Sequence, residues 1–417
     1  MLINFTIKNF RSFWDMNSVS FKPTPNLKEL TKFIALYGPN ASGKSNIAKA
    51  LAYVQFAVQN TDSVNNTTLE HPLLQPFLFN KEGNSEPSFF ELEVLDMASE
   101  TIYRYGFTVS KTEVVAEWLF ERARRSQNTT ERKLFTRDLN GIKFNARVPS
   151  RIKALRGNIS KSILALAYFA NNNYQPAYRI VEYISKKTII FDGSDFDRIS
   201  QIANERMVKD PSLLKEVTSI VHNFDLSVKE ININQAPASQ EQIEQLQKAL
   251  PQLKPLLGDS SGIIRTDTET THSIYDSQGN ISGVTKLGIF NESLGTQKLI
   301  PFITMLVDAM RDGALIVIDE FGASFHPFIT NALVELFVSR KHNSQLLTLT
   351  HETFILNNTN CISMDSFWFV EKNRKEESNI FALSEYKPRS DAKIDKQYLE
   401  GRFGAVPVVF KAKDVSK

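Results

Sequence analysis

Hydrophobic and polar residues follow three patterns in the first sixty positions. Apolar and polar residues alternate from Ile3 to Ile7, which predicts a half-buried β-strand. Residues 33–37 form an almost wholly apolar run that ends at Gly38, as expected for a central strand covered on both faces. A helix is predicted next, because one apolar face is formed by Ile47, Leu51, Val54 and Val58.

The remainder of the chain divides into a β-rich stretch, a helical stretch and a second alternation of helix and strand. Residues 88–109 read as an antiparallel hairpin, and two further β-like runs flank the turn at 139–141. Residues 150–260 look mainly helical. Further on, helical patterns at 296–311 and 327–340 each precede a short apolar strand. Strand and helix signals at both ends predict one α/β nucleotide-binding fold that is split by an insertion.

Composition limits the classes of protein that the chain can belong to. It has 417 residues, 42% hydrophobic and 23% charged, and can therefore bury a sizeable core. No stretch approaches the roughly 18 uninterrupted apolar residues of a membrane span. The single cysteine, Cys361, excludes a disulfide framework and a thiolate-built zinc site. We therefore expect a cytoplasmic protein that has no membrane partner.

Charge is distributed unevenly, although the net charge is only +3. Residues 101–161 contain fourteen Lys or Arg and five Asp or Glu, a local balance of +9 that leaves −6 for the rest of the chain. A basic segment on an acidic body indicates either a nucleic-acid surface or a solvated hairpin region. Both interpretations stay open at this point.

The first candidate site follows the apolar run that ends at Gly38. Residues 38–45, GPNASGKS, match the pattern G-x-x-x-x-G-K-[ST] between a buried strand and an amphipathic helix. Backbone N–H groups of such a loop surround the α- and β-phosphates, and the helix N-terminus adds partial positive charge. Lys44 would reach the β- and γ-phosphates, and Ser45 would coordinate Mg²⁺. The predicted nucleotide-binding residues are Gly38, Pro39, Asn40, Ala41, Ser42, Gly43, Lys44, Ser45 and Asn46.

Two adjacent carboxylates form the second candidate site. Asp319 and Glu320 directly follow the apolar residues 315–318. A buried strand that ends in carboxylates places them at the sheet edge where ligands bind. Asp319 would hold Mg²⁺, directly or through water, and Glu320 would be the general base that polarises the attacking water. The sequence therefore predicts an ATPase that uses ATP and Mg²⁺.

The order of the motifs resembles that of the ABC-type ATPase superfamily, which includes transporters and the SMC and RecF proteins. A segment with Ser293, Gly295 and Thr296 lies between the phosphate-binding loop and Asp319, and His351 follows the next predicted strand. The resemblance implies that this segment binds the γ-phosphate of an ATP held by the opposite subunit. It also implies that His351 is a catalytic switch residue that touches the γ-phosphate.

The opening phrase K-N-F-R-S is similar to the RecF and SMC branch of that superfamily. By this resemblance Arg11 lies near the nucleotide phosphates, and Gln75 is the candidate for the Gln-loop that senses Mg²⁺ and the lytic water. The implied fold class is an α/β P-loop NTPase of ABC-ATPase type, with an antiparallel β subdomain and a mainly helical insertion. The split ATPase domain would comprise residues 1–110 and 286–417, with an inserted β-hairpin and helical subdomain at 111–285.

A narrower resemblance is carried by both ends of the chain. The phrases Y-G-P-N-A-S-G-K-S-N, E-S-L-G-T-Q-K, D-E-F-G-A-S-F-H-P, T-H-E-T and Y-L-E-G-R-F-G-A-V-P resemble the RloA/AbiLi-type ATP-binding proteins of abortive-infection and phage-defence loci. Members of that group are typically encoded beside a small effector, such as an RloB-type nuclease. The resemblance implies a switch or scaffold that forms a homodimer or higher homo-oligomer around ATP. It would control an effector protein, a nuclease or toxin from an adjacent gene.

A second interpretation is a RecF-like DNA-repair ATPase that clamps DNA in an ATP-dependent manner. The basic segment 101–161 favours it, because Lys and Arg side chains neutralise nucleic-acid phosphates. The long coiled-coil heptads that SMC arms require are absent from residues 150–290.

Overall fold

The chain folds into two compact units. The computed structural model describes residues 1–22, 29–59, 71–124, 130–191, 196–225, 227–237, 264–323, 325–357, 361–389 and 392–406. One unit comprises Met1–Gly193 with Ala309–Lys417, and the other comprises Ser194–Asp308. These bounds differ from those of the domains expected at 1–110, 286–417 and 111–285, and that domain division stays a prediction.

The helices lie largely where apolar residues recur at helical spacing. The described α-helices are α1 (Lys44–Gln59), α2 (Ser150–Ala154), α3 (Ala165–Asn171), α4 (Gln175–Lys186), α5 (Phe196–Lys209), α6 (Pro211–Phe224), α7 (Leu294–Asp312), α8 (Pro327–Ser339) and α9 (Ile394–Leu399). The apolar face predicted for α1 is buried, which confirms the periodicity argument. None of the helices within the described ranges has the length and apolar character needed to cross a membrane.

The first unit contains a six-stranded sheet in which parallel strands are buried. Its strands are β3 (Phe33–Tyr37), β9 (Thr188–Phe191), β13 (Leu315–Ile318), β14 (Gln345–Leu349), β15 (Phe367–Lys372) and β16 (Ser378–Ala382). Their order is β16-β15-β3-β14-β13-β9, and all neighbours are parallel except β15 and β16. β3 and β13 are buried along their whole length, as their continuous apolar runs predict, and β14 is equally buried although it includes Gln345 and Thr348.

The same unit contains a seven-stranded antiparallel sheet. Its strands are β1 (Leu2–Lys8), β2 (Asn17–Ser20), β4 (Ser88–Asp96), β5 (Thr101–Val109), β6 (Val114–Ala123), β7 (Arg132–Asp138) and β8 (Gly141–Phe144), in the order β2-β1-β4-β5-β6-β7-β8. The hairpin predicted at residues 88–109 is β4 with β5. β6, β7 and β8 extend the sheet that begins with β1, although they fall in the stretch expected to be inserted.

The second unit combines helices with a small antiparallel sheet. The strands β10 (Glu230–Pro237), β11 (Ile264–Tyr275) and β12 (Ile281–Gly288) follow α5 and α6. Residues 150–260 are mainly helical as predicted, but they also contain β9 and β10. The four residues of β9 are too few for periodicity to separate a strand from a helix. Residues 238–263 of this stretch lie outside the described residues.

A buried carboxylate joins the antiparallel sheet to a helix. Glu117 on β6 is fully buried and accepts hydrogen bonds from the backbone N–H groups of Ala165 (2.7 Å) and Leu166 (2.8 Å). The hydroxyl of Tyr105 donates to the same carboxylate at 3.0 Å, and Arg137 Nη1 lies 3.6 Å from it. Burial raises the pKa of Glu117, and the charge of Arg137 opposes that rise. The carboxylate thus satisfies N–H groups that the first turn of α3 leaves without intrahelical partners.

Replacing this carboxylate should destabilise the protein strongly. Glu117→Ala leaves the buried Arg137 guanidinium without its counter-charge and two helix N–H groups without their acceptor, so we expect the free energy of unfolding to fall by about 3–5 kcal/mol. The matched control is Glu113→Ala, because the ion pair of Glu113 with Lys161 is largely exposed and its loss should cost less than about 1 kcal/mol. Urea denaturation at neutral pH measures both, and equal losses would contradict the role given to Glu117.

Candidate nucleotide site

The parallel strands bring separate motifs to one edge of the six-stranded sheet. In the observed register the last residues of β13, β14 and β3 lie side by side. The chain continues from these strand ends into Asp319, His351 and Gly38 respectively, with one residue between β14 and His351. The backbone N–H of Asp319 also donates to the carbonyl of Phe191 at the end of β9 (2.9 Å). Ligands of parallel α/β sheets bind outside these carboxyl ends, so this edge is the candidate site.

The loop between β3 and α1 is packed so closely that two of its positions require glycine. A Cβ on Gly38 would overlap the carbonyl of Val370 in β15, and a Cβ on Gly43 would overlap the hydroxyl of Ser378. Gly43 also has φ +107°, and Ala41 has φ +62° in the left-handed region. Glycine at these two positions therefore lets the loop pack closely against β15 and Ser378.

The amine of Lys44 is turned back into this loop. Its Nζ donates to the carbonyl oxygens of Gly38 (2.7 Å) and Pro39 (3.0 Å). Burial lowers the pKa of Lys44 to about 8, and the negative charges of Asp319 and Glu320 oppose that shift. A buried amine held by neutral carbonyls fits an anionic ligand, because charged acceptors form stronger hydrogen bonds than neutral ones.

The buried hydroxyl of Ser42 supports the same fit. Within the described part of the chain, its Oγ has no hydrogen-bond partner. A buried polar atom without a partner calls for a ligand or water, and a phosphate oxygen would accept its hydrogen. Beside it a cavity of about 930 Å³ is lined by residues 39–42, His351, the end of β15 and residues 404–406. Its volume lies within the roughly 300–1,000 Å³ of typical small-molecule sites, and its lining also includes Glu376 but not Lys44 or Asp319.

Three further predicted residues lie within electrostatic reach of Lys44. The backbone N–H of Glu320 donates to Asp319 Oδ1 at 3.0 Å, and Glu320 has φ +57°. Such left-handed conformations of non-glycine residues cluster at functional sites. Partial burial lowers the pKa of His351, Lys44 lowers it further, and Asp319 raises it. The fold therefore brings Lys44, Asp319, Glu320 and His351 together, while their individual roles stay predictions.

The predicted magnesium site has a chemically suitable donor set. Ser45 is half-buried next to Lys44, and Asp319 lies at the adjoining strand end. Mg²⁺ prefers oxygen ligands and is usually held by one or two carboxylates with substrate phosphates and waters. Across the described residues no group of three or more His, Cys, Asp or Glu side chains is arranged to hold a metal ion. A hydroxyl and a carboxylate beside a phosphate loop are compatible with Mg²⁺, and this assignment stays a prediction.

Arg11 and Gln75 lie next to each other through the backbone. The N–H of Arg11 donates to the carbonyl of Gln75 at 2.7 Å, and its guanidinium donates to the carbonyls of Leu73 and Pro72, both at 3.2 Å. Burial lowers the pKa of Arg11. The side chain of Gln75 is exposed, and none of the described hydrogen bonds joins it to Asp319. A Gln-loop role for Gln75 therefore remains a sequence prediction.

Ser378 is a residue of this site that the sequence analysis missed. Its N–H donates to the carbonyl of Ser12 (2.7 Å), and its hydroxyl donates to the carbonyl of Ser42 (2.6 Å). The amide of Asn46 donates to the hydroxyl of Ser12 at 2.8 Å. Ser12 and Ser378 thus hold the phosphate-binding loop from two sides. Ser378 begins an ordinary apolar strand, and that local pattern carries no sign of the contact.

The predicted signature residues lie in the second unit and cap a helix there. The hydroxyl of Ser293 accepts a hydrogen bond from the N–H of Thr296 (3.1 Å) at the start of α7. The hydroxyl of Thr296 donates to the carboxylate of Asp225 at 3.0 Å, a contact that the sequence did not suggest. Ser293 is exposed and Gly295 is half-buried beside it. The helix N-terminus therefore presents partial positive charge at the surface of this unit.

Fold and site together define an α/β P-loop nucleotide-binding protein. The fold class predicted from the sequence, an α/β sheet with an antiparallel β subdomain and a mainly helical insertion, is confirmed. The family model described as "AAA domain, putative AbiEii toxin, Type IV TA system" matches residues 33–357. This match covers well over half of the chain, so the chain belongs to that family.

Solved structures similar to the chain are head domains of SMC proteins. The SMC head domain from Thermotoga maritima is 12% identical, with coverage of 91% of this chain and 98% of that one and a TM-score of 0.42. An Smc head bound to the C-winged helix domain of ScpA is 13% identical, with coverage of 93% and 99% and a TM-score of 0.47. An Smc head with an extended coiled coil, bound to the C-terminal domain of ScpA derived from Pyrococcus furiosus, is 13% identical, with coverage of 96% and 99% and a TM-score of 0.44. No curated protein sequence matches the chain significantly.

Removing the contact of Ser378 with the phosphate-binding loop should weaken the binding of MgATP. Ser378→Ala removes the donor to the buried carbonyl of Ser42 and should loosen the loop. We expect the Kd for MgATP to rise about five- to tenfold, as a lost buried hydrogen bond of roughly 1–1.5 kcal/mol would cause. Ser384→Ala, in the turn after β16, is the control and should bind as the unchanged protein does. An unchanged Kd in Ser378→Ala would contradict the bracing role.

Proposed function

We propose that the chain is the ATP-binding and ATP-hydrolysing switch or scaffold subunit of a bacterial antiphage system of abortive-infection type. It dimerises around ATP and controls a partner effector, a nuclease. The observation that carries the proposal is the joint position of Lys44, Asp319, Glu320 and His351 at one sheet edge beside a phosphate-binding loop. A loop of this kind with a carboxylate pair supports ATP hydrolysis.

Each residue of the cluster has a task that its position supports. The loop N–H groups and the amine of Lys44 would bind and orient the phosphates, because the amine now meets only neutral carbonyls among the described residues. Ser45 and Asp319 would hold Mg²⁺, which neutralises phosphate charge. Glu320 would accept the proton of the attacking water as general base. His351 would contact the terminal phosphate and donate a hydrogen bond to it through a ring N–H.

Dimerisation around ATP is supported by the exposed start of α7. Ser293 and Leu294 at the start of this helix are exposed while Thr296 is buried, and a helix N-terminus of this kind fits an anion supplied by another subunit. Phe290 and Leu294 are 90% and 74% exposed. Large apolar side chains at the surface are typical of contact sites between proteins. Two subunits would then each complete the other's nucleotide site, and ATP would favour the closed dimer because it contacts both.

The proposal that the chain controls an effector rests on the family to which the chain belongs. Its description names an AbiEii toxin and a toxin–antitoxin system, and the sequence resembles ATP-binding proteins that are encoded beside an effector. Opening and closing of an ATP-bound dimer would regulate a nuclease or toxin bound to it in the cytoplasm. Purifying the chain with the product of a neighbouring gene, with and without ATP, tests this part directly.

Two substitutions separate nucleotide binding from hydrolysis. Lys44→Ala should abolish MgATP binding, because the loop loses the cation that meets the phosphates. Glu320→Gln keeps the shape but removes the base, so we expect at least a hundredfold slower hydrolysis and a dimer that persists in ATP. Nucleotide-binding titrations, phosphate release and light scattering measure these effects.

The two variants also control for each other. Lys44→Ala should stay monomeric at the ATP concentration at which Glu320→Gln is dimeric. Hydrolysis by Glu320→Gln at the rate of the unchanged protein would overturn the assignment of the base. Dimers of Lys44→Ala that form with ATP would overturn the nucleotide sandwich.

The lowered pKa of Lys44 predicts a pH dependence of binding. In the free protein this amine loses its proton above a pH of about 8, whereas bound phosphates favour the protonated form and raise the pKa. Binding above pH 8 therefore takes up a proton, and the affinity for ATP falls as pH rises, by at most about tenfold per unit. Calorimetry at pH 8.5 in two buffers of different ionisation enthalpy detects the uptake, with pH 8.5 chosen as about half a unit above that pKa. Lys44→Arg should show none, because a guanidinium stays charged.

A further inference from the structure

The Lys and Arg side chains of residues 101–161 fall into two groups. Some are paired with a carboxylate, and others have no carboxylate partner among the described residues. On the antiparallel sheet each of four arginines faces a carboxylate: Arg104 faces Glu91 and Glu131, Arg122 faces Glu93, Arg132 faces Glu121, and Arg137 faces Glu117. Three of these acceptors, Glu117, Glu121 and Glu131, are among the five acids of the same segment. These four arginines are therefore neutralised by carboxylates and leave little positive charge for a ligand, whereas Lys133 on β7 is exposed without such a partner among the described residues.

Several cations without a carboxylate partner lie close together in sequence on the segment that follows β8. Residues 139–161 contain six Lys or Arg and no Asp or Glu. Four of the six have no carboxylate partner in the described part of the chain, and we call these four the α2 cation patch: Arg147, Arg151, Lys153 and Arg156. Arg151 and Lys153 donate only to backbone carbonyls, those of Asn173 (3.3 Å) and Ala146 (2.8 Å).

The backbone that carries the patch is anchored to the core. Ile152 in α2 is fully buried and Val148 just before it is 3% exposed. One turn of 3-10 helix at Leu155–Asn158 continues α2, so residues 150–158 form a single short helical segment. Three of the four cations are exposed and Lys153 is half-buried. The charges are thus held on a fixed support at the surface and not on a free tail.

The composition of the patch favours a phosphate backbone over other anionic partners. Between residues 140 and 161 no large apolar side chain is exposed, and this range is described without a gap. Protein interfaces and membrane surfaces are usually anchored by such apolar groups. Three of the four cations are arginines, whose guanidinium matches phosphate oxygens. A helical segment of this length spans about 14 Å, over which duplex DNA carries roughly eight charges.

We propose that Arg147, Arg151, Lys153 and Arg156 form a site that binds the phosphate backbone of nucleic acid without regard to sequence. The site goes beyond the proposed ATPase, because it lies on a different element from every nucleotide-site residue and needs no nucleotide to be present. It also assigns the nucleic-acid contact to the α2 segment and excludes the sheet arginines, whose charges are met by carboxylates.

The test compares two triple variants that remove the same charge. Arg147→Ala with Arg151→Ala and Arg156→Ala removes three patch cations, and Lys81→Ala with Lys186→Ala and Lys215→Ala removes three exposed cations elsewhere. Fluorescence anisotropy with a labelled duplex DNA of about 30 base pairs gives the Kd of the full chain without nucleotide across about 50–200 mM salt. We expect the patch variant to bind at least about tenfold more weakly and its salt slope to fall by about 3. The lysine control should differ from the unchanged protein by less than about twofold.

Other outcomes overturn the proposal in distinguishable ways. Failure of the unchanged chain to bind either the duplex or a single strand of the same sequence at low salt would exclude the site. Equal losses in both triple variants would show that only net charge matters. Loss of binding to vesicles containing phosphatidylserine, with DNA binding intact, would assign the patch to a membrane surface. Since Lys44→Ala should retain DNA binding in the absence of nucleotide, failure of the ATPase proposal and failure of this one are separable.

Discussion

The nucleotide site depends on the parallel pairing of β3 with strands from the other end of the chain. Thr348 on β14 donates through its hydroxyl to Ile34 on β3, across 314 positions of sequence. β15 pairs with the opposite side of β3, so the strand that leads into the phosphate-binding loop has both neighbours from beyond residue 340. Contacts of such high sequence separation carry a large closure entropy and form late in folding. Every residue at the sheet edge is held in place by this pairing.

Two buried charges of the first unit illustrate different uses of burial. Glu117 is surrounded by an arginine, a hydroxyl and two helix N–H groups, and its charge is satisfied inside the protein. Lys44 is buried against carbonyls only, and its pKa falls accordingly. A charge with a full set of partners stabilises one arrangement of the chain. A charge left with neutral acceptors is costly until an anion arrives, and it is therefore suited to binding.

Local patterns in the sequence predicted the secondary-structure elements at the sheet edge. They could not predict contacts between residues that are far apart in the sequence. The phosphate-binding loop, α1 and the strand before Asp319 each combine a short motif with a clear period, so their type and place follow from nearby residues. β9 has four residues in a helical neighbourhood and was missed for that reason. Ser378 and Asp225 act through partners that are far away in sequence, and neither has a local signal. The pairing of β6 to β8 with the amino-terminal strands is likewise a property of the whole sheet.

The hydrogen bonds from Ser378 to Ser12 and Ser42 have a consequence for synthesis of the protein. The loop is braced by Ser12, which is synthesised before it, and by Ser378, which is synthesised 336 positions after Ser42. During translation, which proceeds at about 5–20 residues per second, the nascent chain carries the complete loop sequence for many seconds before its brace exists. Incomplete polypeptides therefore carry the motif without the brace. A polypeptide that stops before Ser378 should therefore bind nucleotide more weakly than one that includes it.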